Sequence, residues 1–159
     1  MIYTHNTLAL EIREQSINLL NKYLAAAIDL HGQVKQAHWN VRGMSFIAIH
    51  ELFDAVASSV DGYSDMLAER ARGLGGTAQG TIQVAVERSF MVPYPLGIGD
   101  EKAHIFAVSA ALAAFGQGVR EAIDLTTKFG DATTADLFTE ISRGVDKQLW
   151  LVESHIAPE

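Results

Sequence analysis

The breaks between helical segments constrain the fold of this chain more than any other sequence feature. Apolar residues recur at helical intervals over four long stretches, approximately 7–39, 45–72, 100–129 and 133–156. Glycine-containing breaks separate these stretches. The first and last links are short, whereas the middle connection is long and contains Pro93-Tyr94-Pro95, which a regular helix does not accommodate. We therefore expect four long helices arranged as two hairpins joined by a crossover.

This connectivity predicts an all-α fold, namely a ferritin-like four-helix bundle with a long crossover between helices 2 and 3. Residues 81–88, inside the crossover, have the pattern of a short helix. The length of 159 residues predicts a single domain over residues 1–159 with a substantial core.

The composition of the chain narrows the range of functions that it can have. A net charge of −7 argues against a chain devoted to nucleic-acid binding, which relies on clustered Lys and Arg, and suits a protein that gathers cations. The absence of cysteine excludes disulfides and thiolate metal sites, and is compatible with a reducing cytoplasm. The start MIYTHNTLAL does not resemble a signal peptide, and no apolar run reaches membrane-spanning length. We expect a cytoplasmic protein that is not bound to a membrane, with association with the nucleoid as an open alternative.

Five residues that can ligate hard metal ions lie within a short part of the chain. They are His38, His50, Asp54, Asp65 and Glu69. Four of them fall on the second helix, and at about 100° per residue they share one face. At about 1.5 Å of rise per residue, Asp54 and Asp65 are nonetheless about 16 Å apart along the axis, so one ion cannot contact both pairs of ligands on the same helix.

The spacing of these ligands is symmetric. The pair His50 and Glu69 and the pair Asp54 and Asp65 have the same midpoint, between residues 59 and 60. In an antiparallel two-fold crossing at this point, His50 would face the Glu69 position of a second copy and Asp54 would face its Asp65 position. Small residues surround the midpoint and permit a close approach: Ala57, Ser58, Ser59 and Gly62. Such a contact would create two identical sites with nitrogen and carboxylate ligands, suited to iron, manganese or zinc. The alternative is a polar helix face with solvated neighbours.

Four sequence stretches resemble the Dps proteins, the twelve-subunit miniature ferritins of bacteria. The matching stretches are KQAHWNVRG (35–43), FIAIHELFD (46–54), DMLAERARGLGG (65–76) and DKQLWLVESHI (146–156). Their order and spacing agree along nearly the whole chain.

The resemblance implies a hollow homo-dodecamer with a ferroxidase centre at each two-fold interface. It assigns the ligands as His38, His50 and Asp54 from one subunit and the positions Asp65 and Glu69 from its partner. The implied chemistry is oxidation of Fe(II), with hydrogen peroxide preferred over dioxygen, and storage of ferric mineral, which protects against oxidative damage. Trp39, beside His38, matches the tryptophan that the family has near its iron site, as a radical sink or as an aromatic contact between subunits.

The resemblance also suggests an iron-entry pore. Asp131, Asp136 and Glu140 surround the start of the last helix, where the family has an acidic cluster at its three-fold pore. Negative pore charge would concentrate cations. The alternative is the ordinary placement of acidic residues near a helix N-terminus.

Two further residues have open roles. Asp146 is expected to form an ion pair with an arginine such as Arg70. His31 lies seven residues before His38 and so on nearly the same helical face, which makes it an extra metal ligand or, more commonly for a lone histidine, a structural residue.

Two alternatives to an iron-oxidising shell remain. One is a DNA-binding nucleoid protein, but the family's usual device is a lysine-rich tail, and here the first basic residue is Arg13 and the sequence ends HIAPE. We therefore expect weak DNA binding at most, through repetition of a surface patch over the shell. The other is a shell whose centre binds zinc or manganese and is catalytically slow.

Overall fold

The computed structural model describes residues 1–156, which form five helices and no strand. The helices are α1 (Leu10–Asn40), α2 (Phe46–Gly73), α3 (Ile82–Arg88), α4 (Glu101–Phe129) and α5 (Ala132–Glu153). The predicted all-α class is confirmed, and α3 is the short helix expected within the crossover. The helix boundaries lie within a few residues of the predicted ones.

The helices pair as two hairpins. α1 packs along α2, and α4 packs along α5. α1 also contacts α4, α2 contacts α5, and α3 lies on α1. As a result, α2 and α5 share one side of the bundle, while the crossover covers part of another side. In the part of the chain that the structure describes, no helix is long and apolar enough to cross a membrane.

Side chains and glycines define most of the helix ends. Thr81, Asp100 and Asp131 accept hydrogen bonds from the first-turn amides of α3, α4 and α5, as N-cap residues do. Gly130 ends α4 with φ +88°, a conformation that side chains disfavour.

The start of α2 is capped differently. Ser45 precedes α2, but its hydroxyl makes no capping hydrogen bond. Its backbone amide instead donates to the Glu101 carboxylate at 3.0 Å, which ties the start of α2 to the start of α4. A carboxylate distant in the chain therefore holds the backbone at the start of α2.

Aromatic side chains form the centre of the core. The buried ring of Tyr23 makes edge contacts with Phe90, Phe115 and Phe138, at centroid distances of 5.4, 6.4 and 5.2 Å. Its hydroxyl donates to the carbonyl of Gly118 at 2.5 Å, and burial raises the pKa of Tyr23 to about 12. These contacts join α1, the helix that carries His38, to the crossover, α4 and α5.

Candidate metal centre

His38 and His50 lie together at one end of the α1–α2 hairpin. The short link 41–45 brings the last turn of α1 beside the first turns of α2, so that the two rings stack with centroids 3.7 Å apart and planes at 22°. Phe46 lies next to His50, at a centroid distance of 5.0 Å. The two predicted histidines therefore meet within one chain.

Each histidine is held by the backbone of the other. Nδ1 of His38 is 2.8 Å from the carbonyl oxygen of His50, and Nδ1 of His50 is 2.8 Å from the carbonyl oxygen of His38. A carbonyl oxygen can only accept, so Nδ1 carries the proton in both rings. In the neutral form of each ring, Nε2 then has a free lone pair. Metal-binding histidines are characteristically oriented in this way, with the second ring nitrogen bonded to a carbonyl or carboxylate.

Asp54 lies one turn beyond His50 on α2 and completes a three-residue group. Its Oδ1 is 4.0 Å from Nε2 of His38 and 2.7 Å from the ammonium of Lys35. The hydrogen bond from Lys35 and its charge hold the pKa of Asp54 below its usual value. The carboxylate is 60% exposed and therefore accessible to ions from solvent.

Lys35 is the residue of this group that sequence reasoning missed. It lies three residues before His38 and therefore on the same side of α1, so the spacing contained the signal. A search for metal ligands passes over lysine because its ammonium has no lone pair. Here the ammonium occupies the position at Asp54 that a cation would take.

Asp65 and Glu69 are not brought to this group. Both are exposed on α2, and the helix runs without a break from Phe46 to Gly73, which places Asp65 about 16 Å and Glu69 about 22 Å along the axis from Asp54. Within residues 1–156, no group of three or more His, Asp or Glu side chains is arranged so that it could hold a metal ion. His38, His50 and Asp54 thus form a partial site, which we call the half-site.

Trp39 projects from the half-site end of α1 and is 67% exposed. The Lys35 ammonium lies 5.7 Å from its ring centroid. The side chain is therefore available for a contact between subunits, and it also lies next to the half-site, so both roles suggested by the sequence stay open.

The structure corrects the interpretation of Asp131 as a pore residue. Asp131 is only 1% exposed, caps α5 and accepts a hydrogen bond from Arg70 at 3.0 Å. Burial alone would raise the pKa of Asp131, but hydrogen bonds from Thr134 and the Arg70 charge lower it overall. Its charge is neutralised inside the subunit and cannot line an opening. Asp136 and Glu140 are exposed one turn apart on α5 and remain candidates.

The ion pair predicted for Asp146 has a different partner. Asp146 pairs with Arg120 of α4 at 2.9 Å, on the surface. Arg70, the expected partner, is engaged by Asp131. The prediction of an arginine partner was right and its identity was wrong, because sequence spacing on α5 does not reveal which arginine lies opposite.

His31 is half-buried in a groove of about 650 Å³ between α1 and the crossover. The seven-residue spacing places it about 10 Å along α1 from His38. Asp29, Gln33 and Gln36 are the other polar residues of α1 in this groove. His31 is thus separated from the half-site by nearly two helical turns.

Charge divides the bundle into two sides. α2 carries five carboxylates and two arginines, and α5 carries four carboxylates and two basic residues. In α1 and α4 acidic and basic residues balance. The negative charge of the helices is therefore concentrated on the side that α2 and α5 share.

Comparison with known proteins identifies close relatives. A family model described as a ferritin-like domain matches residues 17–158. The chain is 40% identical over 153 residues to the DNA protection during starvation protein of Agrobacterium fabrum, covering 96% of this chain and 94% of the relative. It is 30% identical over 139 residues to the protein of the same name from Mycolicibacterium smegmatis, covering 87% and 75%.

Solved structures agree with the sequence comparison. Dps from Mycobacterium smegmatis superposes with a TM-score of 0.93 at 28% identity, covering 99% of this chain and 95% of that chain. DpsA14 from Streptomyces coelicolor superposes with a TM-score of 0.92 at 34% identity, covering 98% of this chain and 92% of that chain. A structure of Dps from Microbacterium arborescens, described as the high iron form, gives 0.87 at 34% identity, covering 96% and 99%.

Proposed function

Because this chain belongs to the Dps family of ferritin-like proteins, we propose that it is a ferroxidase and iron-storage protein that oxidises Fe(II) at sites shared between subunits. Fe(II) and hydrogen peroxide are its substrates, with dioxygen as a slower oxidant. The working form is a homo-dodecamer that stores ferric mineral and so limits oxidative damage. One solved relative, from Microbacterium arborescens, is described in a high iron form.

The reciprocal hydrogen bonds between His38 and His50 carry this proposal. They fix both Nδ1 atoms as donors and reserve both Nε2 atoms for a ligand. Imidazole nitrogen beside an exposed carboxylate suits Fe(II), and also zinc or manganese, which are expected to compete as substitutes.

The site is completed by a second copy of the chain. Asp65 and Glu69 of one subunit are proposed to meet the half-site of its partner, because they lie symmetrically with His50 and Asp54 about the midpoint of α2. Three carboxylates would then surround the iron and favour Fe(III) over Fe(II), since they place negative charge at the ion. Fe(II) entering the half-site would displace the Lys35 ammonium from Asp54.

The electron balance suits peroxide. One hydrogen peroxide accepts one electron from each of two Fe(II) ions and, with two protons, leaves as two waters, so no hydroxyl radical is released. The Fe(III) product would then collect on the acidic side formed by α2 and α5, which we propose faces the interior of the shell. Asp136 and Glu140 on α5 are proposed to draw Fe(II) towards an entry pore through their charge.

The proposal is tested by anaerobic titration with Fe(II), followed by peroxide or dioxygen and measurement of ferric absorbance. We expect saturable Fe(II) binding and slower oxidation by dioxygen than by peroxide. Rapid oxidation should be complete when one hydrogen peroxide has been added for every two Fe(II) ions. His50→Ala should abolish the rapid phase. His155→Ala is the matched control, because its ring also bonds a backbone carbonyl but lies at the end of α5, and it should react as wild type. Absence of Fe(II) binding in the wild-type assembly would contradict the proposal.

A second candidate function is protection of DNA by direct binding. The names of the Agrobacterium fabrum and Mycolicibacterium smegmatis relatives favour it. The net charge of −7 opposes it, because a shell of such chains repels phosphate. We propose protection mainly through removal of Fe(II) and peroxide.

A further inference from the structure

A half-buried tyrosine and a buried histidine, which the ferroxidase proposal does not use, form a hydrogen-bonded pair between the crossover and α4. His104, in the first turn of α4, is 1% exposed. The Tyr94 hydroxyl lies 2.7 Å from its Nδ1, and the two ring planes are nearly parallel, at 16°, with centroids 6.1 Å apart. Tyr94 belongs to the Pro93-Tyr94-Pro95 segment, whose prolines restrict the backbone that carries the phenol.

The direction of this hydrogen bond follows from the surroundings of the pair. Burial lowers the pKa of His104 and raises that of Tyr94, so both groups are neutral at neutral pH. The backbone of Asn40 raises the pKa of His104, as a hydrogen-bond acceptor does, and Nε2 has no hydrogen-bond partner among residues 1–156. An acceptor near the ring favours a proton on Nε2, since Nδ1 already faces the Tyr94 hydroxyl. Nδ1 is then the acceptor, and Tyr94 donates its proton to it.

We propose that Tyr94 and His104 form a redox pair that supplies one electron to strong one-electron oxidants, with hydroxyl radical as the physiological example. Tyr94 loses an electron while its phenolic proton moves to Nδ1 of His104, which gives a neutral tyrosyl radical and an imidazolium. The hydroxyl radical gains the electron and becomes hydroxide. The proton moves along a hydrogen bond that already exists, so the tyrosine avoids the unstable radical cation.

The other three tyrosines lack this arrangement. The Tyr23 hydroxyl donates to a backbone carbonyl, which is a far weaker proton acceptor than imidazole. Tyr63 makes no hydrogen bond to a histidine in residues 1–156, and its pKa is raised by burial and by the charge of Glu140. Tyr3 approaches His5, but at 3.3 Å and with 82% of the residue exposed, so water competes for the same bond. Tyr94 is thus the tyrosine best prepared for oxidation.

The charged group that acts on His104 favours the oxidised form. Asp100 caps α4 one turn before His104, and its charge raises the pKa of the imidazole. An imidazolium formed at His104 would therefore be stabilised by Asp100 without direct contact with solvent.

The position of the pair near the half-site suggests its role in the cell, and this role rests on the proposed function. Asn40, beside His104, is two residues beyond His38 on α1, so the pair lies at the half-site end of the bundle. A peroxide that reacts with a single Fe(II) yields Fe(III), hydroxide and hydroxyl radical. Tyr94 would reduce that radical, and a second Fe(II) would restore the phenol by giving its electron as the proton returns from His104. The sum is two Fe(III) and two hydroxides from one peroxide, as in the ordinary reaction.

The first test needs no iron and so is independent of the proposed function. The assembled protein is oxidised by flash-generated tris(bipyridine)ruthenium(III) with persulfate as electron acceptor, and tyrosyl radical is followed by transient absorption and by electron paramagnetic resonance of frozen samples. We expect a wild-type radical that forms more slowly in D₂O than in H₂O and is largely lost in Tyr94→Phe. His104→Gln should slow its formation by about 100-fold, as expected for loss of a positioned base. Tyr3→Phe and Tyr63→Phe are the matched controls and should retain the signal.

Two results would overturn the proposal. One is a Tyr94→Phe protein with the full signal, and the other is a wild-type signal with no slowing in D₂O, which needs no variant and so does not depend on the folding of His104→Gln. A second experiment supplies Fe(II) and peroxide with a spin trap for hydroxyl radical. Tyr94→Phe should oxidise iron at the wild-type rate and release more trapped radical, and an unchanged amount would count against the pair. Failure of the wild type to oxidise iron would contradict the proposed function alone, since the photochemical result would stand.

Discussion

Lys35 and His38 approach the same carboxylate from the same side of α1, but they prepare it for different events. Lys35 forms an ion pair with Asp54 at 2.7 Å, whereas Nε2 of His38 stays 4.0 Å away. The lysine neutralises the carboxylate, and in the proposed function the histidine keeps its lone pair for a metal ion. Charge compensation and metal coordination would thus be divided between two neighbouring side chains.

Replacing Lys35 by glutamine should strengthen metal binding at the half-site. The incoming cation would no longer displace an ammonium, and because exposed ion pairs are weak we expect a gain of about two- to fivefold in affinity. Titration calorimetry with Co(II), which avoids oxidation, measures the change. Lys22→Gln is the control on the same helix, since Lys22 lies over the Tyr23 and Phe90 rings and far from Asp54. Equal binding by Lys35→Gln would show that the lysine does not compete with the metal ion, and weaker binding would show that it assists.

Replacing Asp131 by asparagine should destabilise the subunit. Asparagine can still cap α5, but Arg70 loses its buried partner, and removal of one member of such a pair costs about 3 kcal/mol. The folded-state pKa of Asp131 is lowered, so its stabilisation is present above the unfolded value of about 4 and is lost as the pH falls through the folded value. In urea unfolding at fixed protein concentration, the free energy of unfolding of Asp131→Asn should therefore be lower than that of the wild type by a constant amount near neutral pH. This difference should shrink below about pH 4.

The exposed pair of Asp146 and Arg120 provides the comparison for that measurement. Both side chains are more than half exposed, so Asp146→Asn should change the free energy of unfolding by less than about 1 kcal/mol. Equal losses in the Asp146 and Asp131 variants would mean that burial does not control the strength of these pairs.

At the level of helices, the sequence predicted what depends on local pattern. Periodicity and glycine breaks located all five helices, and ligand spacing placed His50 and Asp54 one turn apart. The sequence could not predict that Glu101 would bind the Ser45 amide or that Arg70 would reach Asp131, because such contacts depend on which helices lie side by side. The pairing of His104 with Tyr94 was missed for the same reason: the two residues are on different elements, and neither position has a distinctive motif.

Close packing between α2 and α5 predicts that substitution of Gly144 lowers the stability of the protein. A methyl group at this position would overlap the Tyr63 hydroxyl, so Gly144→Ala should lower the free energy of unfolding by about 1–3 kcal/mol. Adding Tyr63→Phe removes the hydroxyl and should recover part of the loss. Gly32→Ala, in the middle of α1 with open space around it, should instead stabilise the protein by about 1 kcal/mol through helix propensity. Urea unfolding of the four proteins checks the pattern, and a harmless Gly144→Ala would show that α5 can shift away from α2.

On the scale of the assembly, the decisive feature is the separation of the candidate ligands along α2. The half-site lies at one end of a continuous helix, and Asp65 and Glu69 lie well beyond its centre. In the proposed function, a subunit therefore offers two incomplete ligand sets, which a second copy of the chain would join.

Mixed assemblies test this sharing directly. His50→Ala and Glu69→Ala chains are prepared separately, unfolded together and reassembled, and iron oxidation is measured. In a mixed dimer one site receives both substitutions and the other receives neither, so activity absent from both pure variants should return, approaching one working site per mixed dimer. Mass spectrometry confirms that mixed dimers formed. Confirmed mixed dimers without activity would show that each site is built within a single chain.

The assembly should also bind DNA weakly. Its subunits carry a net charge of −7, and Arg13, the first basic residue, is engaged by the carbonyls of Leu8 and Leu74. A gel-shift assay with plasmid at physiological salt should show little retardation. Tight retardation that is abolished by higher salt would reveal a basic surface formed by assembly.

The crossed hydrogen bonds of His38 and His50 also bear on how this protein can change over generations. Replacing one ring removes the stacking partner of the other, while the surviving ring keeps its own hydrogen bond to a backbone carbonyl. Because the two rings contact each other and are proposed to serve the same ion, their effects on metal affinity should be non-additive, with the second substitution lowering the affinity less than the first. A lineage under selection for metal binding would be confined to keeping both histidines, while one released from that selection would be expected to lose both in quick succession.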